Sequence, residues 1–547
     1  MFHSKAFILS LAMLFPVFPA AAKPVEAPIP KLVSQDGRHA LLVDGAPFLV
    51  LGAQVNNSSA WPTMMYKVWP AIQAIHANTV EMPIYWEQFE PKPGAFDYSV
   101  VDDLVGQCRK KNVRLILLWF ATWKNGSPHY LPLWMKQDPA TYPRMLGQNG
   151  RPVDSASPFS PNTLAADKRA FAALMRHLKK IDPQRTVIMV QVENEPGTWG
   201  AIRDHSPAAQ KAFDELVPPE VLIAMGKPPR NPAAGWKQAF GKEADEFFHA
   251  WAVARFIGEV AAAGKAEYPL PLFVNAALRD PLAPGPPGSY ESGGPTDNVL
   301  PIWKAAAPAI DILAPDIYMN EHPKVMKILE LYGRADNPLL IPEIANAPEY
   351  ARYFFPALGH QAIGFAPFGI DYTGFENAPL GAPKINEEAI RPFALNYELV
   401  APMMRELAQL SFDGKLKAVA EKPGEARQII DLGVWKAEVI YGVGQFGFAD
   451  KAAGNPAPIG RALVADLGNH TFLVTGLHCR VELQVSGQAA GKQREYLRVE
   501  EGAFENGKFK VVRFWNGDQT DWGLNFTSAP QVLRVTMGTL TGPKGEQ

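Results

Sequence analysis

Apolar residues follow two different patterns along this chain. From about residue 30 to 400, short runs that are apolar almost throughout alternate with longer stretches whose apolar residues recur every three or four positions. The short runs predict strands buried on both faces, and the longer stretches predict amphipathic helices. The predicted strands lie at residues 48–52, 79–83, 113–119, 187–193, 272–275, 310–314, 339–343 and 362–366.

The helical stretches lie between these strands, for example at residues 101–110, 167–180, 244–263 and 324–331. Eight strand–helix units in one region fit an α/β fold of the (β/α)8 TIM-barrel type better than an open parallel sheet. In such a barrel the chemistry lies just after the strands, at their C-terminal ends. We therefore looked for reactive side chains at those positions.

The pattern changes after about residue 410. Short runs of alternating apolar and polar residues recur at a spacing of roughly ten residues, with Gly or Asn between them. This spacing is typical of an all-β, sandwich-like domain. We predict a barrel domain over residues 23–405 and a C-terminal β domain over residues 412–547.

The first 22 residues carry the pattern of a secretory signal peptide. Lys5 precedes an apolar run over residues 6–18, and Ala20 and Ala22 form an A-x-A cleavage site. The run is too short for a membrane anchor and contains Pro16. We expect export to the bacterial periplasm, and we expect no membrane span in the mature chain.

Composition excludes several classes of function. Of the 547 residues, 53 are basic and 55 are acidic, so the net charge of −2 offers no basic surface for nucleic acid. Two cysteines, Cys108 and Cys479, cannot form a disulfide framework. The histidines show no H-E-x-x-H or similar spacing, and no phosphate-binding loop is present. We expect an enzyme without a metal or cofactor.

Two carboxylates stand at predicted strand ends. Glu195 ends the fourth strand in the run Gln-Val-Glu-Asn-Glu at 191–195, and Glu343 ends the seventh strand. Buried carboxylates are costly unless they are paired, hydrogen-bonded or functional. Glycoside hydrolysis requires two such groups across the scissile bond, one to donate a proton and one to act as nucleophile or base.

These motifs resemble known families. Asn194 and Glu195 after strand four, with Glu343 after strand seven, resemble the glycoside hydrolase clan A barrels. The run at 191–195 is similar to the acid/base motif of family 35 β-galactosidases, and residues 86–91 are similar to that family's second-strand motif. Family 42 is the nearest alternative within the clan.

The resemblance implies roles for four residues. Glu195 matches the general acid/base and Glu343 the nucleophile of a retaining hydrolase. Asn194 matches the residue that hydrogen-bonds the sugar 2-hydroxyl, and Tyr318 the tyrosine that supports the nucleophile. A retaining enzyme requires carboxyl groups about 5 to 5.5 Å apart, and a gap near 9 Å would exclude that mechanism.

Several further residues near the strand ends are candidates for substrate binding. The rings of Trp86, Trp119 and Trp123 could stack on sugar faces, although aromatic residues at such positions equally often pack in the core. Tyr85 and Asn275 carry the same two interpretations.

The resemblance implies an exo-acting retaining enzyme that releases terminal β-linked galactose from an oligosaccharide. Galactosylated xyloglucan or another plant cell-wall fragment is the expected substrate. Two alternatives stay open: another clan A activity, such as β-glucosidase or α-arabinosidase, and a catalytically inactive carbohydrate-binding protein. The sequence does not indicate the oligomeric state.

Overall fold

The computed structural model describes residues 26–227, 234–444, 452–487 and 492–540, so the predicted signal peptide at residues 1–22 lies outside the described residues. The strands, in chain order, are β1 Lys31–Gln35, β2 Arg38–Val43, β3 Ala46–Phe48, β4 Val50–Gln54, β5 Thr79–Tyr85, β6 Arg114–Lys124, β7 Arg144–Leu146, β8 Pro152–Ala156, β9 Val187–Asn194, β10 Leu272–Ala277, β11 Ile312–Ile317, β12 Leu340–Ile344, β13 Gly364–Pro367, β14 Leu416–Ala420, β15 Arg427–Leu432, β16 Trp435–Ile440, β17 Arg461–Gly468, β18 Thr471–Leu477, β19 Cys479–Val485, β20 Arg494–Glu505, β21 Lys508–Phe514, β22 Leu524–Phe526 and β23 Val532–Thr539. The helices are α1 Met65–Ala74, α2 Trp86–Phe89, α3 Ser99–Lys111, α4 Leu133–Lys136, α5 Pro161–Ile181, α6 Pro207–Phe213, α7 Pro219–Ala224, α8 Trp236–Phe240, α9 Ala244–Glu267, α10 Leu300–Ala306, α11 His322–Tyr332, α12 Phe354–Gly359, α13 Glu387–Val400, α14 Met404–Phe412 and α15 Asp518–Asp521.

Eight parallel strands close into a barrel in the order β4, β5, β6, β9, β10, β11, β12, β13. They are the eight strands predicted from the apolar runs, so the predicted TIM-barrel class is confirmed. Their residues are buried on both faces because the barrel interior covers one side and the helices cover the other. The short β1–β3 sheet precedes the barrel, and β7 and β8 form a hairpin inserted after β6.

Two helices around the barrel, α5 and α3, have residues at their ends that are typical of helix starts and stops. The long α5 helix has Pro161 in its first turn, and the Ser160 hydroxyl caps it by accepting a bond from the Thr163 N–H. The α3 helix ends at Asn112, whose φ of 54° is the left-handed conformation that terminates helices. No helix among the described residues is long and apolar enough to cross a bilayer.

The C-terminal region is all-β, as predicted. One antiparallel sheet has the order β14, β17, β18, β23, β20, β21, and the other has the order β15, β16, β19, β22. Buried side chains from both sheets, Trp435 and Leu533 among them, form a core between the sheets.

This β module packs directly on the barrel. Leu463, Leu473 and Val532 of the module belong to the same continuous apolar core as the barrel residues. At the junction, the buried Arg461 donates a hydrogen bond of 2.8 Å from Nε to the Asn396 Oδ1 atom on α13. The two parts therefore share both apolar surface and a buried polar contact.

Candidate active site

A cleft of about 550 Å³ opens at the C-terminal ends of the barrel strands. Glu195, which follows β9, and Glu343 on β12 both line it. The remaining lining residues come from the loops after several strands, and they include Asn57, Lys124, Asn125, Trp199, Leu278, Asp316, Tyr318, Phe368, Phe375, Glu376 and Asn377.

Three donors hold the Glu343 carboxylate. Its Oε1 atom accepts hydrogen bonds from Gln54 Nε2 at 2.8 Å and from Asn194 Nδ2 at 3.2 Å. Its Oε2 atom accepts a hydrogen bond of 2.7 Å from the Tyr318 hydroxyl. Donors from three different strand ends therefore fix both oxygens of one buried carboxylate in place.

Glu195 lies in a different environment. Burial is the main cause that raises the pKa of its carboxyl to about 7, the nearby charge of Glu343 adds to the rise, and Lys124 opposes it. The Glu195 side chain is partly exposed to the cleft. A carboxyl group with such a pKa keeps its proton near neutral pH, as a general acid must.

The backbone around Glu195 is unusual. Glu193 and Glu195 have φ values of 63° and 41°, left-handed conformations that cost a non-glycine residue about 1 kcal/mol or more. Asn275 Oδ1 accepts a hydrogen bond of 2.9 Å from the Glu195 N–H. The Asn125 and Gly126 N–H groups donate to the carbonyls of Asn194 and Glu195 at 3.1 and 2.9 Å. The chain just past β6 thus holds the turn that presents Glu195.

A third carboxylate, which the sequence analysis missed, completes the group. Carboxylate oxygens of Glu195, Asp316 and Glu343 lie within 4.8 Å of one another. Asp316 precedes Tyr318 by two positions at the end of β11, so the period of two along a strand could have placed it on the same face. Lys124 and Gln54 were missed as well, since neither stands beside a recognisable motif.

Three carboxylates this close could also bridge a cation. At Glu343, however, Gln54 and Asn194 donate to one oxygen and Tyr318 donates to the other. These bonds occupy most of the lone pairs that an ion would need. We therefore assign no metal to this cluster.

The structure corrects the predicted role of three tryptophans. Trp86, Trp119 and Trp123 have no exposed surface and do not line the cleft. Trp119 packs on Phe171 of α5, and Trp123 packs on Phe256 of α9. Their rings face the layer between barrel and helices, because residues near a strand end can point either inward or outward.

Each of these tryptophans instead uses its indole N–H to satisfy a buried acceptor. The acceptors are Glu90 Oε2 at 2.8 Å for Trp86, Asp167 Oδ1 at 2.9 Å for Trp119 and Ser155 Oγ at 3.1 Å for Trp123.

Tyr85 is also withdrawn from the cleft, so its predicted contact with substrate is corrected as well. Only 2% of its surface is exposed, and its ring is stacked between Trp61 and Tyr130 at centroid distances of 5.2 and 5.6 Å. Asn275 is buried too, and its amide links the Glu195 backbone to Asp316.

Two exposed aromatic rings that face the cleft lie on loops. Trp199 follows β9 and is 51% exposed, and Phe375 follows β13 and is 65% exposed. Large exposed aromatic rings beside a polar cleft are the usual platforms for the apolar faces of sugars. No periodic pattern surrounds them, so the sequence alone does not predict that they face the cleft.

Comparison with known families agrees with this geometry. Residues 58–253 match a glycoside hydrolase family 42 model described as β-galactosidase, and residues 393–527 match a model described as a domain of unknown function, DUF5597. The first match spans β5, β6 and β9 with Glu195, so this part of the barrel is similar to glycoside hydrolase family 42, and the resemblance to family 35 stays a prediction. No curated protein sequence matched the chain.

Several solved structures are similar to part of this chain. The β-galactosidase from Bacillus circulans sp. alkalophilus is 14% identical with a TM-score of 0.48, over 66% of this chain and 57% of that one. The β-galactosidase from Marinomonas ef1 is 15% identical with a TM-score of 0.48, over 66% and 61% of the two chains. The chain thus spans less than two thirds of the length of these enzymes.

Proposed function

We propose that this protein is a retaining, exo-acting glycoside hydrolase that releases terminal β-linked galactose from oligosaccharides. The single observation that carries the proposal is the pairing of Glu195 and Glu343, whose carboxylate oxygens lie within 4.8 Å of each other across the cleft. This closeness supports a retaining enzyme, because inverting enzymes separate their carboxyl groups by about 6.5 to 9.5 Å.

In the first half of the proposed reaction, the Glu343 carboxylate attacks the anomeric carbon of the sugar. The protonated Glu195 carboxyl gives its proton to the glycosidic oxygen as the bond to the leaving group breaks. The product is a glycosyl ester on Glu343 and an alcohol that leaves the cleft.

In the second half, the Glu195 carboxylate takes a proton from water, whose oxygen attacks the same carbon. The ester bond breaks and Glu343 is released as a carboxylate. Glu195 is reprotonated by this step, so the cycle consumes only one water.

The contacts around Glu343 support the roles carried over from clan A. The Tyr318 hydroxyl donates to Oε2, so it can orient the nucleophile before attack. The buried Asn194 amide donates to Oε1, so it lies directly beside the nucleophile that the sugar must approach. We propose both as binding residues that act on the sugar and its ester.

The choice of galactose rests on the description of the matching family model and on the resemblance of residues 191–195. We also propose a galactosylated plant cell-wall fragment, such as xyloglucan, as the natural substrate, and the periplasm as the place of action. The predicted signal peptide is the support for that location.

Hydrolysis of aryl glycosides tests this proposal directly. We expect the wild-type protein to cleave an aryl β-galactoside faster than the matching β-glucoside, β-xyloside and α-arabinoside. Nuclear magnetic resonance of the reaction should detect the β-anomer of the free sugar first, as retention requires. Preference for another member of the panel would replace galactose with that sugar, and first release of the α-anomer would contradict retention.

Variants of the two carboxylates separate their roles. We expect Glu343→Ala to lower kcat by about 10³-fold or more, since no nucleophile remains. We expect Glu195→Gln to lower kcat by about 10²- to 10⁴-fold on substrates whose leaving group needs a proton. For a substrate with a good leaving group, Glu195→Gln should slow the glycosylation step less, because that leaving group needs no proton.

Glu349→Gln is the matched control, because Glu349 is an exposed glutamate in the segment that follows β12, the strand of Glu343. A 2-deoxy-2-fluoro galactoside with a good leaving group should label the peptide that contains Glu343, and mass spectrometry should detect the ester. Wild-type inactivity on the whole panel, with retained sugar binding, would favour the inactive carbohydrate-binding protein.

A further inference from the structure

The cleft contains more acid groups than its neighbourhood can hold in ionised form. Glu195 has Asp316 on one hand and Glu291 on the other as acidic neighbours, and Glu343 is the carboxylate held by three donors. Among the described residues, Lys124 is the only cation that acts on the pKa of these first three carboxyl groups. Some of these groups must therefore be protonated at neutral pH.

Asp316 is the most constrained member of the group. It is 2% exposed, and its Oδ2 atom accepts a hydrogen bond of 2.7 Å from Asn275 Nδ2. Its Oδ1 atom, also buried, finds no N–H or O–H donor among the described residues. A buried carboxylate oxygen without a donor is costly, and a proton on Asp316 removes that cost.

The neighbouring Glu195 carboxylate is the acceptor for a hydrogen bond from such a proton. A carboxylate oxygen of Glu195 lies within 4.8 Å of one of Asp316. Two carboxylates at this distance repel each other, and a proton on one of them removes the repulsion and offers a hydrogen-bond donor to the other.

We propose that Asp316 stays protonated through the catalytic cycle and donates its hydrogen bond to the Glu195 carboxylate whenever Glu195 has lost its own proton. Asp316 is then a positioning residue that stabilises the ionised acid/base without touching the substrate. This inference rests on the proposed role of Glu195 as general acid/base.

The surroundings decide which of the two carboxyls keeps the proton. Asp316 is enclosed between Glu343 and Glu195, and burial together with both charges raises its pKa well above the usual range. Glu195 is partly exposed to the cleft. Tyr318 also faces this group, and burial with the same carboxylates raises the pKa of its phenol, so Tyr318 stays neutral.

The consequence for the reaction is specific. When Glu195 gives its proton to the leaving oxygen, a negative charge forms beside Glu343 and would otherwise be poorly solvated. The Asp316 O–H compensates for that charge, and no proton leaves Asp316 when Glu195 later takes one from water. Asn275 holds the two partners in register, since it accepts from the Glu195 N–H and donates to Asp316.

Two substitutions at Asp316 test the inference through the pH dependence of kcat/KM. The alkaline limb of this profile, where kcat/KM falls as pH rises, reports the loss of the proton from Glu195. Asp316→Asn keeps a neutral donor, so we expect that limb to stay within about half a pH unit of its wild-type position. Asp316→Leu removes the donor, so the Glu195 carboxylate loses support and the limb should move up by about one unit. If Asp316 were ionised, Asp316→Asn would remove a repelling charge, and the limb would move down by a unit or more.

A spectroscopic measurement tests the same inference without turnover. Infrared difference spectra of the wild-type protein and Asp316→Asn at neutral pH should show the loss of one protonated carboxyl band. Loss of a carboxylate band instead would overturn the inference, even if Asp316→Leu failed to fold. A wild-type protein inactive on all glycosides would contradict the proposed function, while the infrared result would still decide the protonation of Asp316.

Discussion

Glu195 and Glu343 are the same residue type in opposite surroundings. Glu343 accepts three hydrogen bonds, whereas the carboxyl of Glu195 has close neighbours that are themselves acidic. The fold creates this difference with donors from separate strand ends. The surroundings alone therefore allow one glutamate to act as nucleophile and the other as acid, although their side chains are chemically identical.

The raised pKa of Glu195 sets an expected pH profile. Glu195 must be protonated to donate, and its pKa is about 7, so kcat/KM of the free enzyme should fall about tenfold per pH unit above that value. The measurement is a plot of log kcat/KM against pH for an aryl galactoside with a poor leaving group. A substrate with a good leaving group should show a weaker alkaline limb, and a limb that begins below pH 5 would contradict the assignment of Glu195.

The candidate site was only partly predictable at the level of residues. Glu195 and Glu343 were recognisable because a carboxylate at the end of an apolar strand is rare unless it is functional. Asp316 was not, because its importance comes from its closeness to Glu195 on a different strand, and its spacing from Tyr318 indicates only the face on which it lies. The direction of Trp119 and Trp123 depends on which face of β6 they occupy, and an almost wholly apolar strand has no polar side to reveal it.

At the scale of elements, the loops after β9 and β13 supply what the strands do not. The strands fix the reacting groups, and the loops bring the exposed rings of Trp199 and Phe375 to the cleft. A strand end tolerates little change, whereas a loop can be altered without disturbing the barrel. We expect these loops to determine affinity more than rate.

Removal of either ring tests this division. We expect Trp199→Ala and Phe375→Ala to raise KM about five- to tenfold with kcat nearly unchanged, as the loss of about 1 kcal/mol of stacking requires. Phe514→Ala is a matched control, because Phe514 is 59% exposed but lies on β21 of the C-terminal module. A fall in kcat with KM unchanged would show that the rings act on the reaction and not on binding.

The sequence predicted the barrel strands well because each one is a continuous apolar run. Their ends were less certain: β6 was predicted to stop at residue 119 and continues to Lys124, where it supports the turn that carries Glu195. That extension depends on pairing with β9, which no local pattern reveals. In the C-terminal module, β22 is three residues long and too short to show a period.

For the whole molecule, the buried acids imply an unusual pH dependence of stability. Burial raises the pKa of Glu81, Asp167, Glu193, Glu291 and Asp316. The folded protein therefore binds more protons than the unfolded chain once the pH exceeds the ordinary carboxyl range. The free energy of unfolding must fall as pH rises through the raised values.

Thermal unfolding checks this expectation. We expect Tm to decline from about pH 6 to pH 9 at constant ionic strength. Glu81→Gln should decline less steeply, since both Glu81 carboxylate oxygens lack donors among the described residues. Its stability relative to the wild type should improve by at most about 1.4 kcal/mol per pH unit. A difference between the two proteins that does not change with pH would contradict this account of Glu81.

The contact between the β module and the barrel has a consequence for how the protein is made. Synthesis delivers the last barrel helix, α13, well before β17, whose Arg461 meets Asn396 on that helix. Val532, near the end of the described residues, belongs to the same apolar core as the barrel. The contacts between barrel and module therefore form only after the chain has been synthesised through β23.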